Sequence, residues 1–240
     1  MRSTLLLLAA LFLVLFACAC NNPTKYKSAR KTPFTPAVDS VFYTTRDDTI
    51  PCVRVLFSFD DTLPVTFTIY RSLPGSASFA LLKRKIPQAL RAYDDEQISD
   101  SMNPDAFANI YSYSMEAISA EDSASTMSNQ KSLQVLGRPL QIDYVSLSTG
   151  IPEVAYSSLG TSLGISWTIQ VVKRDSVIAQ KSFGQTFGDV KDSYFFTELI
   201  VDTLKARMLA DSTDNGTYGV RLLSLAGSSV GLAVKKFNVK

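Results

Sequence analysis

The pattern of hydrophobic and polar positions divides the chain into an apolar leader, a polar segment and a long region of alternating residues. Behind Arg2, the residues from Leu5 to Phe16 form an unbroken apolar run. A run of this length is typical of the core of an export signal, because a helix that crosses a bilayer needs about 20 apolar residues. Residues 21–36 carry prolines and a basic cluster without any apolar period, so we expect a flexible tether there.

In the next part of the chain, apolar residues alternate with polar ones, which predicts strands with one face on a core. The runs from Val53 to Phe59 and from Val65 to Tyr70 show this period. The same turn signal, Asp-Asp-Thr followed by an aliphatic residue and Pro, precedes each run, at residues 47–51 and 60–64. Residues 107–118 fit a helical stripe or a strand, and the wider pattern favours a strand.

The second half repeats this alternation. Residues 165–171 alternate, residues 174–176 supply a turn, and the chain returns as a strand to Phe183. Residues 227–229 form another turn before a last strand. Residues 194–210 instead have apolar side chains at helical spacing, so helix and strand both stay open there.

These patterns predict a mainly β chain with two tandem antiparallel β-sandwich modules, the second being α+β if residues 194–210 form a helix. We place a signal peptide at 1–17 and a lipidated cysteine with a flexible tether at 18–37. The first sandwich is expected at 38–131 and the second at 132–240.

The amino-acid composition excludes several kinds of catalytic, metal and disulfide chemistry. The chain has no histidine, which removes Ser-His-Asp and Cys-His catalysis and histidine-based zinc sites. The formal net charge of +2 gives no argument for a nucleic-acid partner. Cys52 is the only cysteine outside the leader region, so neither module can contain its own disulfide, and we expect a buried thiol. We expect no cofactor, no metal apart from the acidic tip considered below, and no enzymatic activity.

The end of the leader, Leu15-Phe16-Ala17-Cys18, resembles the lipobox of bacterial lipoproteins. This resemblance implies cleavage before Cys18 and lipid on its thiol, with Cys20 as the alternative site. The membrane is then the first partner, reached through the lipid anchor. The residue after the cysteine is Ala19 or Asn21 and not aspartate, which by resemblance favours the outer membrane. The face of that membrane stays open.

Three strand motifs in the first half resemble a fibronectin type III module across residues 38–131. They are Val53-x-Val55-x-Phe57-Ser58, Thr68-Ile69-Tyr70-Arg71-Ser72 and Tyr111-x-Tyr113-x-Met115-x-Ala117. In this resemblance Phe57 replaces the core tryptophan of the family, and Tyr111 opens the late strand.

In the second half, residues 214–220 resemble the D-x-G-x-Y corner of immunoglobulin-like sandwiches. The resemblance implies that Tyr218 pins a turn between sheets and that Trp167 is the core tryptophan.

If the first module has the fibronectin type III fold, two of its loops meet at one end. These loops carry Asp60, Asp61, Glu121 and Asp122, which together could coordinate a hard cation. The alternative is a pair of ordinary solvated acidic loops.

Aspartate is repeatedly followed by Ser or Thr and then an aliphatic or small residue. This triplet resembles the acceptor of an O-glycosylation system in one phylum of Gram-negative bacteria, and the alternative is that Asp-Ser and Asp-Thr build turns. The candidate acceptors are Ser40, Thr49, Thr62, Ser101, Ser123, Ser176 and Thr203.

The expected function is that of a non-enzymatic, lipid-anchored envelope protein that binds a protein partner, as a scaffold or adhesion module. The partner is not identified by any sequence feature. A glycan-binding or glycan-processing outer-membrane lipoprotein and a passive spacer remain as alternatives.

Overall fold

A computed structural model describes residues 32–98, 102–103, 106–137, 140–147, 149–174, 176–210 and 216–239, with the backbone alone at 159–163 and 206–210. Cys18, Cys20 and Ser101 lie outside these ranges.

The described residues form twelve strands and one helix. In chain order they are β1 (Ala37–Arg46), β2 (Ile50–Ser58), β3 (Val65–Ser72), β4 (Phe79–Pro87), β5 (Ala92–Asp95), β6 (Ala108–Ser119), β7 (Lys131–Leu136), β8 (Gln141–Ser146), β9 (Glu153–Lys173), β10 (Ser176–Phe195), α1 (Val201–Ala210), β11 (Thr217–Ala226) and β12 (Ser229–Asn238).

The first module, β1 to β7, is a two-layer sandwich. The sheet β1-β2-β5 shares one core with the strands β4-β3-β6-β7. On β6 the side chains of every second residue from Tyr111 to Ala117 are fully buried, as the alternating pattern predicted. Phe57 of β2 and Phe59, which follows that strand, each meet the ring of Phe67 edge to face, at 5.2 and 5.3 Å between centroids. The aromatic rings therefore join the two layers.

The second module, β8 to β12 with α1, is built around a hairpin that folds back on itself. The rings of Tyr156 and Trp167 are eleven positions apart on β9, yet their centroids are 5.8 Å apart. A straight strand would separate them by about 36 Å. Phe183 and Tyr194 on β10 repeat this geometry at 5.7 Å, and the pairing register shifts between them. The bent hairpin thus supplies both layers of this module.

The one described helix, α1, lies within residues 194–210, for which the sequence left helix and strand both open. It begins at Val201, after Phe195 has ended β10. The N–H groups of Thr203 and Leu204 both donate to the carbonyl of Ile200, and Leu204 is buried in the module core. The second module therefore contains a ten-residue helix, shorter than the predicted span of 194–210. Among the described residues, no helix is long and apolar enough to cross a membrane.

One sheet runs through both modules, because β12 pairs with β7 in parallel at two positions, Ser229 with Gln134 and Val230 with Val135. The buried apolar residues still form two clusters, one from Val38 to Val135 and the other from Leu136 to Val239. The predicted mainly β fold with tandem sandwiches is confirmed, and the parallel contact between them was not predicted.

Candidate docking cleft

The two modules are joined by a buried ion pair. Asp48 lies in the turn between β1 and β2, and its Oδ1 accepts a hydrogen bond from Nη2 of Arg221 on β11 at 3.4 Å. Its Oδ2 accepts the backbone N–H of Arg174, which follows β9. The side chains of Asp48 and Arg221 are only 13% and 10% exposed, so solvent screens this pair weakly. The turn of the first module is thereby fixed to the sheet of the second.

Close packing and a second polar contact complete the junction. A Cβ atom on Gly219 of β11 would lie 2.7 Å from the carbonyl oxygen of Asp48, so glycine permits this approach. Near the parallel contact, Oε1 of Gln134 accepts the hydroxyls of Ser228 and Ser229 at 2.8 and 3.2 Å. The junction is therefore held at separate points.

The chain enters the first module at the end opposite this junction. The N–H of Phe34 donates to Oδ2 of Asp61 at 3.1 Å, and the hydroxyl of Thr35 meets that of Thr126. Asp48 precedes β2 and Asp61 follows it. The nine residues of β2 span about 30 Å, so these two aspartates lie at opposite ends of the first module. Residues 33 and 36, both prolines, are buried, so the last residues of the predicted tether pack on the folded body.

A cleft with a volume of about 400 Å³ lies between the modules. Among the residues that the structure describes, no charged side chain lines it. Thr168 and Ser182 contribute hydroxyls that hydrogen-bond to each other at 2.9 Å, and Phe42 and Leu225 are exposed beside them. The cleft therefore presents an apolar, uncharged surface with a few hydroxyl groups. Its lining residues are Phe42 and Tyr43 of β1, Leu133 of β7, Ser166, Trp167 and Thr168 of β9, Ser182 and Phe183 of β10, Leu223, Ser224 and Leu225 of β11, and Val230 of β12.

Apart from Trp167, none of these lining residues was singled out from the sequence. The signal that could have found them is on β11, where Leu222, Leu223 and Leu225 place apolar side chains on both faces of the strand. Leu222 is fully buried in the core, whereas Leu225 is 49% exposed. Apolar residues on both faces indicate a strand with a second contact surface.

The predicted structural residues of the first module lie in its core. Phe57 is 2% exposed and Tyr111 is fully buried. The hydroxyl of Tyr111 donates to the carbonyl of Ile98 at 3.2 Å, which satisfies its polar group inside the core.

The predicted structural residues of the second module are also buried. Trp167 stacks on Phe183 at 5.2 Å, and Tyr218 stacks on Phe237 at 5.4 Å. The ammonium of Lys173 lies 4.6 Å from the centre of the Tyr218 ring, which adds a cation–π contact. Asp214 and Asn215, the first two residues of the predicted corner, lie outside the described residues.

The four acidic residues of the predicted cation tip do not form a metal site. Asp61 is buried, and its carboxylate accepts the N–H groups of Leu63 and Phe34, as a turn residue does. Asp60, Glu121 and Asp122 are exposed. Across the described ranges, no group of three or more Cys, Asp and Glu side chains could hold a metal ion. The acidic loops are thus better explained as turns.

The candidate O-glycosylation acceptors lie in varied settings. Thr62, Ser176 and Thr203 are exposed, whereas Ser40, Thr49 and Ser123 are partly buried. The hydroxyl of Thr49 donates to the carbonyl of Asp47, and the N–H of Ser123 donates to the hydroxyl of Ser119. These bonds fit the turn-building alternative, and modification stays a prediction.

A buried polar network links the two sheets of the first module. Oδ2 of Asp95 on β5 accepts Nη1 of Arg71 at 2.6 Å and the hydroxyl of Tyr113 at 2.8 Å. Burial, and next the charge of Asp95, raise the pKa of Tyr113 well above its usual range, so this phenol stays a donor. Cys52 is buried as expected, and burial raises the pKa of its thiol to about 12. Neither group is set up as a nucleophile.

Fold and surfaces together define a tandem β-sandwich protein with an apolar cleft at the junction of its modules. No family model matches the chain, and no curated protein matches it. Among solved structures, it is similar to the FN1–FN3 domains of chicken CNTN1, with 12% identity over 86% of this chain and 67% of that chain and a TM-score of 0.32. It is also similar to a two-domain fibronectin type III segment of chicken tenascin, with 11% identity over 85% of this chain and 99% of that chain and a TM-score of 0.29.

Proposed function

We propose that this chain is a non-enzymatic, lipid-anchored envelope protein whose two modules form a scaffold that binds a protein partner at the inter-module cleft. The observation that carries the proposal is the cleft itself, an uncharged surface of about 400 Å³ that exists only because both modules contribute walls. Its size falls within the range of ordinary binding sites.

The position of the cleft supports this role. The chain enters the first module near Asp61, at the end of β2 opposite the junction. With lipid on Cys18 or Cys20, the tether would hold the first module by that end. The junction and the second module would then extend into the compartment where a partner is met.

The composition of the cleft favours a protein segment as its occupant. Leu225 is 49% and Phe42 is 39% exposed, which suits an apolar side chain of a partner. The hydroxyls of Thr168 and Ser182 beside them provide uncharged polar groups to the same surface.

Photo-crosslinking in intact cells tests this proposal. A photoreactive residue is placed at Leu225, and a matched control carries it at Ile200, which is equally exposed but lies just before α1 and does not line the cleft. We expect one protein adduct from position 225 and none from position 200. A chain that remains monomeric and without adducts at both positions contradicts the proposal.

Mass spectrometry of the mature chain tests the anchor separately. We expect a polypeptide that begins at Cys18, or at Cys20, and carries fatty acyl groups on that residue. A chain that retains residues 1–17, or has no acyl group on either cysteine, contradicts the anchor but leaves the cleft untouched.

Glycan binding is the second candidate, because hydroxyls and aromatic rings line the same cleft. Phe42 and Phe183 could stack on sugar rings while Thr168 donates hydrogen bonds. The described lining of the cleft includes no carboxylate, so its geometry favours glycan binding over glycan processing. Mass spectrometry of the digested adduct at position 225 separates the candidates, since a protein partner yields peptides of a second sequence and a glycan yields sugar fragments.

A further inference from the structure

A second surface with a distinct chemistry lies on the edge of the first module, away from the cleft. β4 is the terminal strand of the nine-stranded sheet and pairs only with β3 in the part of the chain that the structure describes. The backbone groups on its other side are therefore available to another extended chain. Three consecutive residues of this edge, Lys83, Arg84 and Lys85, are exposed cations.

The edge is held in place by its own core contacts. Ile86 is 3% exposed and belongs to the core of the first module, and Leu82 packs against that core. The cations between them are therefore carried on a fixed strand and not on a mobile loop. Lys85 has a φ of 56°, and the register with β3 shifts nearby, so the edge is locally bulged.

Within the described structure Lys83, Arg84 and Lys85 make no ion pair, and Arg84 has an electrostatic interaction with the phenol of Tyr70. The carboxylate of Glu116 on β6 accepts the hydroxyl of Tyr70, and burial, followed by this contact, raises the pKa of that phenol to about 12. Three adjacent cations without an ion pair repel another basic strand and attract an acidic one.

We propose that β4 binds an extended, acidic segment of a partner protein. The segment adds as a further strand, its backbone pairs with the free edge of β4, and its carboxylates meet Lys83, Arg84 and Lys85. Lysine on an edge strand usually prevents pairing between sheets. On β4, Lys83, Arg84 and Lys85 instead allow pairing only with a strand that carries negative charge. This site is independent of the cleft.

Binding of synthetic peptides to the full chain tests the proposal. The probe is a ten-residue fluorescent peptide of alternating Glu and Thr, compared with a Lys-Thr peptide and with a Glu-Thr peptide N-methylated at every residue, which leaves neither edge able to pair. We expect the Glu-Thr peptide alone to bind, and binding to slow hydrogen exchange in β4. Added salt should weaken binding because the charge pairs are exposed.

Charge-reversal variants locate the site. Lys83→Glu with Lys85→Glu should weaken binding about tenfold or more, since two attractive cross-strand pairs become repulsive. The matched control, Lys181→Glu with Lys191→Glu, makes the same charge change on exposed residues of β10, the other terminal strand of the sheet. It should change binding less than twofold. Thermal unfolding of both variants confirms that they fold.

Three results would overturn the proposal. The first is no binding of the Glu-Thr peptide. The second is equal binding of its N-methylated form, which would show that charge alone acts. The third is binding to phosphatidylglycerol vesicles that Lys83→Glu with Lys85→Glu abolishes while peptide binding is unchanged, which would assign the edge to an anionic membrane surface.

Discussion

Asp95 shows how a single buried side chain can hold two sheets together. It is fully buried on β5 and accepts hydrogen bonds from Arg71 of β3 and Tyr113 of β6. Its other oxygen accepts the N–H of Gln97 at 3.1 Å. With no disulfide available to either module, this network is a specific polar link between the layers of the first one.

Replacement of Asp95 by Asn should lower the free energy of unfolding by about 3–5 kcal/mol, because Arg71 would keep a buried charge without its counter-ion. Asp39→Asn is the matched control, since Asp39 is exposed and accepts the hydroxyl of Ser58 at 2.9 Å. It should cost less than about 1 kcal/mol. Urea unfolding measures both values, and equal losses in the two variants would contradict the assignment.

Cys52 should be chemically inert in the folded chain. Burial raises the pKa of its thiol from 9.0 to about 12, so folding favours the neutral form. The resulting contribution to stability is present below pH 9 and is lost as the pH rises towards 12. We expect site-resolved maleimide labelling at pH 8 to modify Cys52 in urea but not in the native chain. Labelling of the native chain at the unfolded rate would disprove this.

At the scale of elements, the contact between the turn of β1 and β2 and the strand β11 depends on a glycine. The space beside Gly219 is filled by the carbonyl oxygen of Asp48 and by a methyl group of Val172 on β9. A side chain here must push the turn away from the sheet or distort the strand. The junction between the modules therefore requires that residue 219 has no side chain.

Gly219→Ala should destabilise the chain by about 1–3 kcal/mol, because the new methyl group lies 2.7 Å from the Asp48 oxygen and 2.8 Å from Val172. Gly184→Ala is the matched control on β10, where nothing lies within 4 Å. It should change stability by no more than about 0.5 kcal/mol. Thermal melts of the two variants test the difference, and a neutral Gly219→Ala would refute the close contact.

The sequence was informative wherever a strand buries one face. The alternation from Val53 to Phe59 and from Tyr111 to Ala117 predicted β2 and β6, and the turn at residues 174–176 predicted the hairpin of β9 and β10. The full length of β10 could not be predicted, because most of its side chains are exposed and leave no apolar period. The fold in this hairpin arises from contacts between distant positions of one strand, which local periodicity does not record.

The candidate site was harder to predict than the fold. The cleft is assembled from β1, β7 and β9 to β12, so its residues are scattered along the chain. The acidic loops were prominent in the sequence, but the carboxylate of Asp61 already accepts hydrogen bonds from the backbone N–H groups of Leu63 and Phe34. A run of charge marks turns as readily as it marks a site.

In the whole molecule, the cleft persists only if the two modules are held in one arrangement. The pairing of β7 with β12 covers only two positions, so it needs the ion pair of Asp48 and Arg221 as a second fixed point. A hinged pair of modules would have no persistent cleft and could act only as a spacer.

A distance measurement by double electron–electron resonance tests this arrangement most directly. Spin labels are placed at Leu90 of the first module and Phe187 of the second, which are 49% and 67% exposed, in a chain that begins at Thr32 and keeps only the buried Cys52. We expect one narrow distance distribution, which Asp48→Ala should broaden by removing the partner of Arg221. A broad distribution in the otherwise unaltered chain would contradict the fixed junction and the cleft that depends on it.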